Sequence, residues 1–258
     1  MNTIPLSSER HGAWRLRHSA GFSFAARRAA IPLVAAELRS AAIAFPVAFT
    51  SSDGGFTPVA LLGLEPDENL FVGEDGKWRG RYLPAELRSY PFTLRRADDG
   101  RQILCVTEDA TWLGEGPEGM VLFTEDRKPS AVVVQALELL GKVEQNRAAT
   151  AEACKALQQF NCIEPWPIVL RSESGERRIE GLFRVSESAL NGLGDDAFLS
   201  ARRSGGLSLA YAQLISMQQL PLLGQLAAAR AQRAGQMQFG QDLDLSWLSG
   251  DTIKLGLV

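Results

Sequence analysis

Residues 69–107 read NLFVGEDGKWRGRYLPAELRSYPFTLRRADDGRQILCVT, and two turns within them decide the fold class. Glu74-Asp75-Gly76-Lys77 separates 69–72 from 78–82, and Asp98-Asp99-Gly100 separates 91–96 from 102–107. Asp-Gly suits a tight turn because glycine reaches positive φ without a Cβ clash. Apolar residues alternating on either side mark strands with one buried face. Each turn therefore predicts an antiparallel hairpin. Between them, Pro84 opens a short helical turn that ends at Tyr90-Pro91-Phe92.

Upstream, 45–50 and 56–64 read as strands joined by Ser51-Ser52-Asp53-Gly54-Gly55, and 120–124 reads as a further strand. Phe22 and Phe24 alternate as a short strand in an arginine-rich opening segment. Pro32 suits the first position of a helix, with Val34, Leu38, Ala41 and Phe45 on one face. Downstream of Pro129 the period changes. Val133, Ala136, Leu137, Leu140 and Val143 recur at helical spacing, and Thr150 is positioned to cap a second helix that Pro165 and Pro167 end. Another hairpin pairs 168–172 with 179–185. Ser186 and Asp195 are candidate caps, Gly205-Gly206 separates two helices, and Pro221 should interrupt the last. Leu207, Ala210, Tyr211 and Leu214 share one helical face. Leu243, Leu245, Ile253, Leu255 and Leu257 suggest an extended tail. The expectation is an α+β fold: an antiparallel, hairpin-rich sheet with a mostly helical C-terminal half. It forms one domain over 1–258, β-rich to 128, helix-rich over 129–234 and extended over 235–258.

The chain has 258 residues, 45% hydrophobic and 22% charged, with a formal net charge of −3. No global basic field would draw it to nucleic acid or an anionic membrane. Cys105, Cys154 and Cys162 are odd in number and lack a C-x-x-C spacing, which fits free thiols in a reducing compartment. The longest weakly charged run, AAIPLVAAEL at 29–38, already contains Glu37 and is followed by Arg39. A membrane helix needs ~20 apolar residues, so none is expected. Glu9, Arg10, His11 and Arg15 fall where a signal peptide would be apolar, and Arg27-Arg28 lacks the context of an export signal. A cytoplasmic location is expected.

Chemical motifs are sparse. Gly114-Glu115-Gly116-Pro117-Glu118-Gly119 matches a dinucleotide fingerprint literally, but a strand-like segment follows where a helix is needed. The two histidines, His11 and His18, have no metal-ligand spacing, and the acid pairs all sit at turns. No catalytic residue, cofactor or metal is expected. Residues 77–96 are locally basic, with Lys77, Arg79, Arg81, Arg88, Arg95 and Arg96 interleaved with Trp78, Tyr82, Tyr90 and Phe92. Such a strand either turns its rings inward and its cations to water, or presents both to a partner, since Trp, Tyr and Arg dominate interface hot spots. Stacking of single-stranded nucleic acid is a third use of the same residues, opposed by the acidic remainder.

The stretch NLFVGEDGKWRGRYLPAELRSYPF at 69–92 resembles the SapC-like family of bacterial proteins. PLSSERHG at 5–12, PVALLGL at 58–64, LFTEDRKPS at 122–130 and GLFRVSESAL at 181–190 extend the resemblance over roughly 3–225. The family pattern often carries a histidine where this chain has Gln213. The resemblance implies a link to surface layers, and to proteins found beside TonB-dependent outer-membrane receptors and flavin-halogenase-like proteins. The expected function is a non-enzymatic accessory protein of a surface-layer or outer-membrane uptake system that recognises a protein or peptide. Its contact residues would be Trp78, Arg79, Arg81, Arg88 and Tyr90, with Asp75 and Gly76 shaping the turn. That reading requires the rings and guanidinium groups to project outward. An enzyme acting on a peptide or halogenase-related substrate is the alternative, and would gather His11, an acid and a thiol in a deep pocket. Homo-oligomerisation stays open.

Overall fold

The computed structural model describes residues 2–17, 21–108, 111–172 and 175–241. Strands β1 (Thr3–Pro5), β2 (Trp14–Leu16), β3 (Ala30–Pro32), β4 (Val47–Ser52), β5 (Gly55–Leu61), β6 (Phe92–Arg96), β7 (Gln102–Thr107), β8 (Leu113–Glu115) and β9 (Met120–Val121) precede a long helix. Strands β10 (Ile163–Pro165), β11 (Ile168–Ser172), β12 (Gly175–Ile179) and β13 (Leu182–Val185) follow it. Helices α1 (Ser8–His11), α2 (Leu38–Ala41) and α3 (Ala85–Arg88) are single turns, and α4 (Ala131–Gln159) is the long one. Then come α5 (Glu187–Asn191), α6 (Asp195–Arg203), α7 (Gly206–Ser216) and α8 (Leu220–Gln241). The fold is α+β, with antiparallel sheets and a helical C-terminal region.

The main sheet has the order β10-β13-β4-β5-β3. Its central hairpin closes on Asp53 and Gly54, both at positive φ, which matches the right-handed twist of the flanking strands. Val47, Ala48 and Phe49 are buried in succession, as are Val59, Ala60 and Leu61. Burial on both faces explains why this pair reads as continuous apolar runs and not as strict alternation. Strand β13 joins β4 through Leu182↔Thr50 and Phe183↔Phe49, so the sheet takes strands from both sides of α4. A clasp from α7 holds that junction. Gln213 Oε1 accepts from Val185 N–H at 2.9 Å and its Nε2 donates to the Val47 carbonyl at 3.0 Å. Ser216 Oγ accepts from Val47 N–H at 2.9 Å.

Smaller sheets have the orders β1-β7-β6 and β8-β2-β9. Their apolar faces form a second core with Phe92, Val106, Leu122 and, from the first half of α4, Val133 and Leu140. The second half of α4 contributes Ala153, Cys154 and Leu157 to the first core.

Several local expectations are corrected. Thr150 caps nothing: α4 runs through it, and its hydroxyl donates to the Asn146 carbonyl at 2.7 Å while accepting from Ala35 N–H at 2.8 Å. That backward bond satisfies a hydroxyl inside a helix. Pro32 starts no helix but ends the edge strand β3, where its missing N–H costs no ladder bond. Phe22 and Phe24 flank and enter a 3₁₀ turn, Ser23–Ala25. The hairpin expected over 69–82 shrinks to one bridge, Val72↔Trp78, because the Asn69 side chain diverts Phe71 N–H into a local turn at 3.0 Å. The hairpin expected at 168–185 is split into β11–β12 and a separate β13, with Gly181 at φ 79 between them. Tyr211 lies on the outer face of α7 at 48% exposure, whereas Leu209 and Gln213 face the core. Pro221 sits in the first turn of α8, which continues through Gln241, so 235–241 are helical and the rest of the expected tail lies outside the described residues.

Candidate functional site: a cleft along the β6 edge

Strand β6 is an outer strand of its sheet. The register pairs Thr93↔Cys105, Leu94↔Leu104 and Arg95↔Ile103. Its phase is set by Ala97 N–H bonding the Arg101 carbonyl at 2.8 Å and Thr107 N–H bonding the Pro91 carbonyl at 3.0 Å. Bonded and non-bonded pairs alternate in an antiparallel ladder. Thr93 and Arg95 therefore spend their backbone groups on β7, while the N–H and C=O of Leu94 point to the open edge. Among the described residues, nothing else bonds them.

Beside this edge lies a cleft of about 730 Å³, bounded by β6, the segment around Phe24–Arg28, the Leu33–Glu37 turn, α3 and α4. Ligand clefts commonly measure ~300–1,000 Å³. The four consecutive residues Phe92 to Arg95 all line it. Neighbours in a strand point to opposite faces, so all four contribute to one cleft only along the strand's edge.

An aromatic wall closes the inner end. Phe24 stacks on Tyr90 at 3.6 Å with a 5° interplanar angle, and Trp112 meets both rings edge-on. Trp112 Nε1 donates to the Gly21 carbonyl at 2.7 Å. Phe24 belongs to the first core and Tyr90 and Trp112 to the second, so this stack joins the two.

The acids of the cleft are engaged. Glu86 pairs with Arg28, and Glu144 with Arg147 at 3.0 Å. Buried Glu37 takes three donors: the Tyr82 hydroxyl at 2.9 Å, Ala85 N–H at 2.6 Å and Val34 N–H at 3.2 Å. Burial, then the Glu37 charge, pushes the Tyr82 phenol up to about 12. Arg27 pairs with Asp67 at 3.1 Å. Arg95 is exposed, and no carboxylate among the described residues lies within ion-pair distance of it.

The residues singled out from sequence divide. Trp78 does not project outward. Its half-buried indole packs on Phe22, Phe45 and Phe71 and donates Nε1–H to the Tyr82 carbonyl at 2.9 Å. Tyr90 is likewise committed to the aromatic wall, although it also lines the cleft. Both rings turn inward because Phe22 and Phe24, more than fifty residues upstream, supply apolar surface for them. Asp75 and Gly76 shape a turn: Asp75 accepts from Lys77 N–H at 3.1 Å, and Gly76 stands at φ 71 with its carbonyl bonded by Phe22 N–H. The Lys77 N–H, with help from Arg79, holds the Asp75 carboxyl below its usual range. Arg79 pairs with Asp75 at 2.8 Å. Arg81 and Arg88 stay at the surface, and the Arg88 guanidinium lies 5.8 Å from the Tyr82 ring centre.

His11 is 0% exposed and away from the cleft, its ring set edge-on to Trp14 at 5.0 Å. Nδ1 lies 3.1 Å from both the N–H and the carbonyl of Ser7, while Nε2 is buried without a hydrogen-bond partner among the described residues. Burial lowers its pKa. His18 lies outside the described residues. The buried thiols are all raised by burial, Cys154 to about 12, and among the described residues neither cysteine nor histidine lines the cleft. Among the described residues no group of three or more His, Cys, Asp or Glu is placed to hold a metal ion, and no helix is long and apolar enough to cross a membrane. Glu37 escaped the sequence reading. Its one signal was an acid isolated in the apolar run 29–38.

Comparison with curated proteins and with solved structures returned no match. The family model described as SapC matches residues 6–223, a span that contains every fully buried residue of both cores and every cleft residue except Thr3. The chain belongs to the SapC family.

Proposed function

We propose that the protein is a non-enzymatic binding protein whose β6 cleft receives a segment of a protein or peptide partner. The carrying observation is the juxtaposition of a strand edge at Leu94 left unpaired among the described residues, a cleft of about 730 Å³ beside it and an exposed arginine, Arg95, that no carboxylate among the described residues pairs. The acids that line it already hold protein donors, which suits a recognition surface better than an acid–base site. The enzyme reading asked for His11, an acid and a thiol together; His11 lies apart, sealed against Trp14. Membership of the SapC family supports assigning the partner to a surface-layer or outer-membrane uptake system, and three buried free cysteines suit a reducing, cytoplasmic setting for this protein. Exposed Arg81 and Arg88 are proposed as outlying contacts on the same partner.

Site-specific photo-crosslinking in cells tests this. A photoreactive residue at Thr93, inside the cleft, should yield a discrete protein adduct, and the same residue at exposed Phe198 on α6 should not. Absence of an adduct at 93, or the same adducts at both positions, overturns the assignment.

A further inference from the structure

We infer that the occupant of the cleft is an extended segment with alternating acidic and apolar side chains, which adds to β6 as a further strand. This rests on the cleft being the binding site, and it goes on to say what chemistry binds there.

The first reason is the treatment of sheet edges. An open edge invites pairing with other chains, and proteins blunt it with proline, charge or distortion. In the five-stranded sheet β10-β13-β4-β5-β3 and in β1-β7-β6, the outer strands β1, β3 and β10 carry Pro5, Pro32 and Pro165, whereas the short outer strands β8 and β9 and the β11-β12 pair carry none. Strand β6 carries none within Phe92–Arg96. Two arginines at its hairpin end are the charge device that discourages indiscriminate pairing, yet Thr93 and Leu94 are unprotected and border a cleft. Among the proline-free edges of the described residues, this is the one that borders the cleft.

The second reason is the pattern of side chains. Thr93 and Arg95 share one face of β6, while Phe92 and Leu94 share the other and pack in the second core with Leu140. An added strand bonded to the Leu94 N–H and C=O would set its own side chains directly beside these, face for face. Positions beside Phe92 and Leu94 meet apolar surface. Positions beside Thr93 and Arg95 meet a hydroxyl and a cation that no carboxylate among the described residues pairs. Among the lining residues, Arg27, Arg28, Arg95 and Arg147 stand against Glu37, Glu86 and Glu144, and each of those glutamates is already engaged. Arg28 and Arg147 are paired with two of these glutamates and Arg27 with Asp67, so Arg95 is the exposed cation of the lining that no carboxylate among the described residues pairs, and it lies on the Thr93 face. The complementary segment therefore reads acid, apolar, acid, apolar.

Calorimetric titration of the full chain with a short synthetic peptide alternating aspartate and leucine tests the inference. Saturable binding is expected. Arg95→Glu, at an exposed side chain, should leave the fold intact and weaken binding by about tenfold or more, as expected for reversing one charge contact. The same peptide N-methylated on the amides of one edge should bind far more weakly, and an alternating lysine–leucine peptide should not bind. Failure of the aspartate–leucine peptide to bind overturns the inference, as does equal binding of the methylated or lysine peptide. If the crosslink at Thr93 forms while these peptides fail, the cleft stands and this occupant falls; if both fail, the cleft reading falls with it.

Discussion

The larger core closes its buried polar side chains on backbone groups, whereas the smaller one leaves a histidine nitrogen bare among the described residues. In the first, Gln213, Ser216, Asn69 and Thr150 each bridge segments far apart in the chain through hydrogen bonds of 2.7–3.0 Å. In the second, His11 Nε2 has no partner among the described residues. Burying a polar atom without a partner costs about 1–3 kcal/mol, so the smaller core carries a standing penalty that the larger avoids. The cleft opens where the two meet, bordered by Phe24 from one and by Tyr90 and Leu140 from the other. A binding site at such a seam draws its walls from both cores while neither has to be hollowed to make it.

The strongest test of that contrast is to cut into each core separately. Phe49→Ala in the main sheet should cost about 3–5 kcal/mol and Leu122→Ala in the smaller core about 2–5 kcal/mol, both being fully buried. Denaturant unfolding followed by tryptophan fluorescence and by circular dichroism should show one shared transition for each variant. Separate transitions would break the picture of cores locked together through the aromatic wall.

Glu37→Ala comes next. It strands the Tyr82 hydroxyl and two backbone amides, and should destabilise by about 3 kcal/mol, with Glu37→Gln recovering part of that loss. The phenol of Tyr82, pushed up to about 12 in the native protein, should then titrate closer to its ordinary value of 10.0 in ultraviolet difference spectra. An unchanged Tyr82 titration would show that Glu37 does not act on it.

The smallest effect sharpens the contrast at His11. Burial lowers its folded pKa below the ordinary 6.5, so the unfolded chain binds the proton more readily. The sign follows from linkage: this contribution to stability is complete above 6.5 and is lost as pH falls through the depressed folded value. Denaturation midpoints measured on both sides of 6.5 should decline on the acid side, and His11→Leu should flatten the decline. A slope identical in the variant would remove His11 as its source.

Much of the fold was legible where the deciding chemistry is local. Asp53-Gly54 and Asp99-Gly100 mark the two hairpins, with Gly54 at φ 77 and Gly100 at φ 81. The apolar spacing after Pro129 marks α4. Gly205, at φ 82, separates α6 from α7 where a stop was expected. The misreadings lie where a distant group changed the outcome. Thr150 looks like a cap until Ala35 supplies a donor to its hydroxyl. The 69–72 segment reads as a strand until the Asn69 side chain donates its Nδ2 to the Ala25 carbonyl and accepts Phe71 N–H in a local turn. The candidate cleft overlaps the sequence reading only in part: of the contact residues singled out there, Tyr90 borders it.

Turns, periodicities and the antiparallel α+β class were determined by the sequence itself, because φ preferences and side-chain spacing act within a few residues. Which strand would be left as an open edge, and whether Trp78 would face water or Phe22, were decided only by tertiary structure. Both depend on which surfaces meet once remote segments pack, and pattern along the chain does not record that.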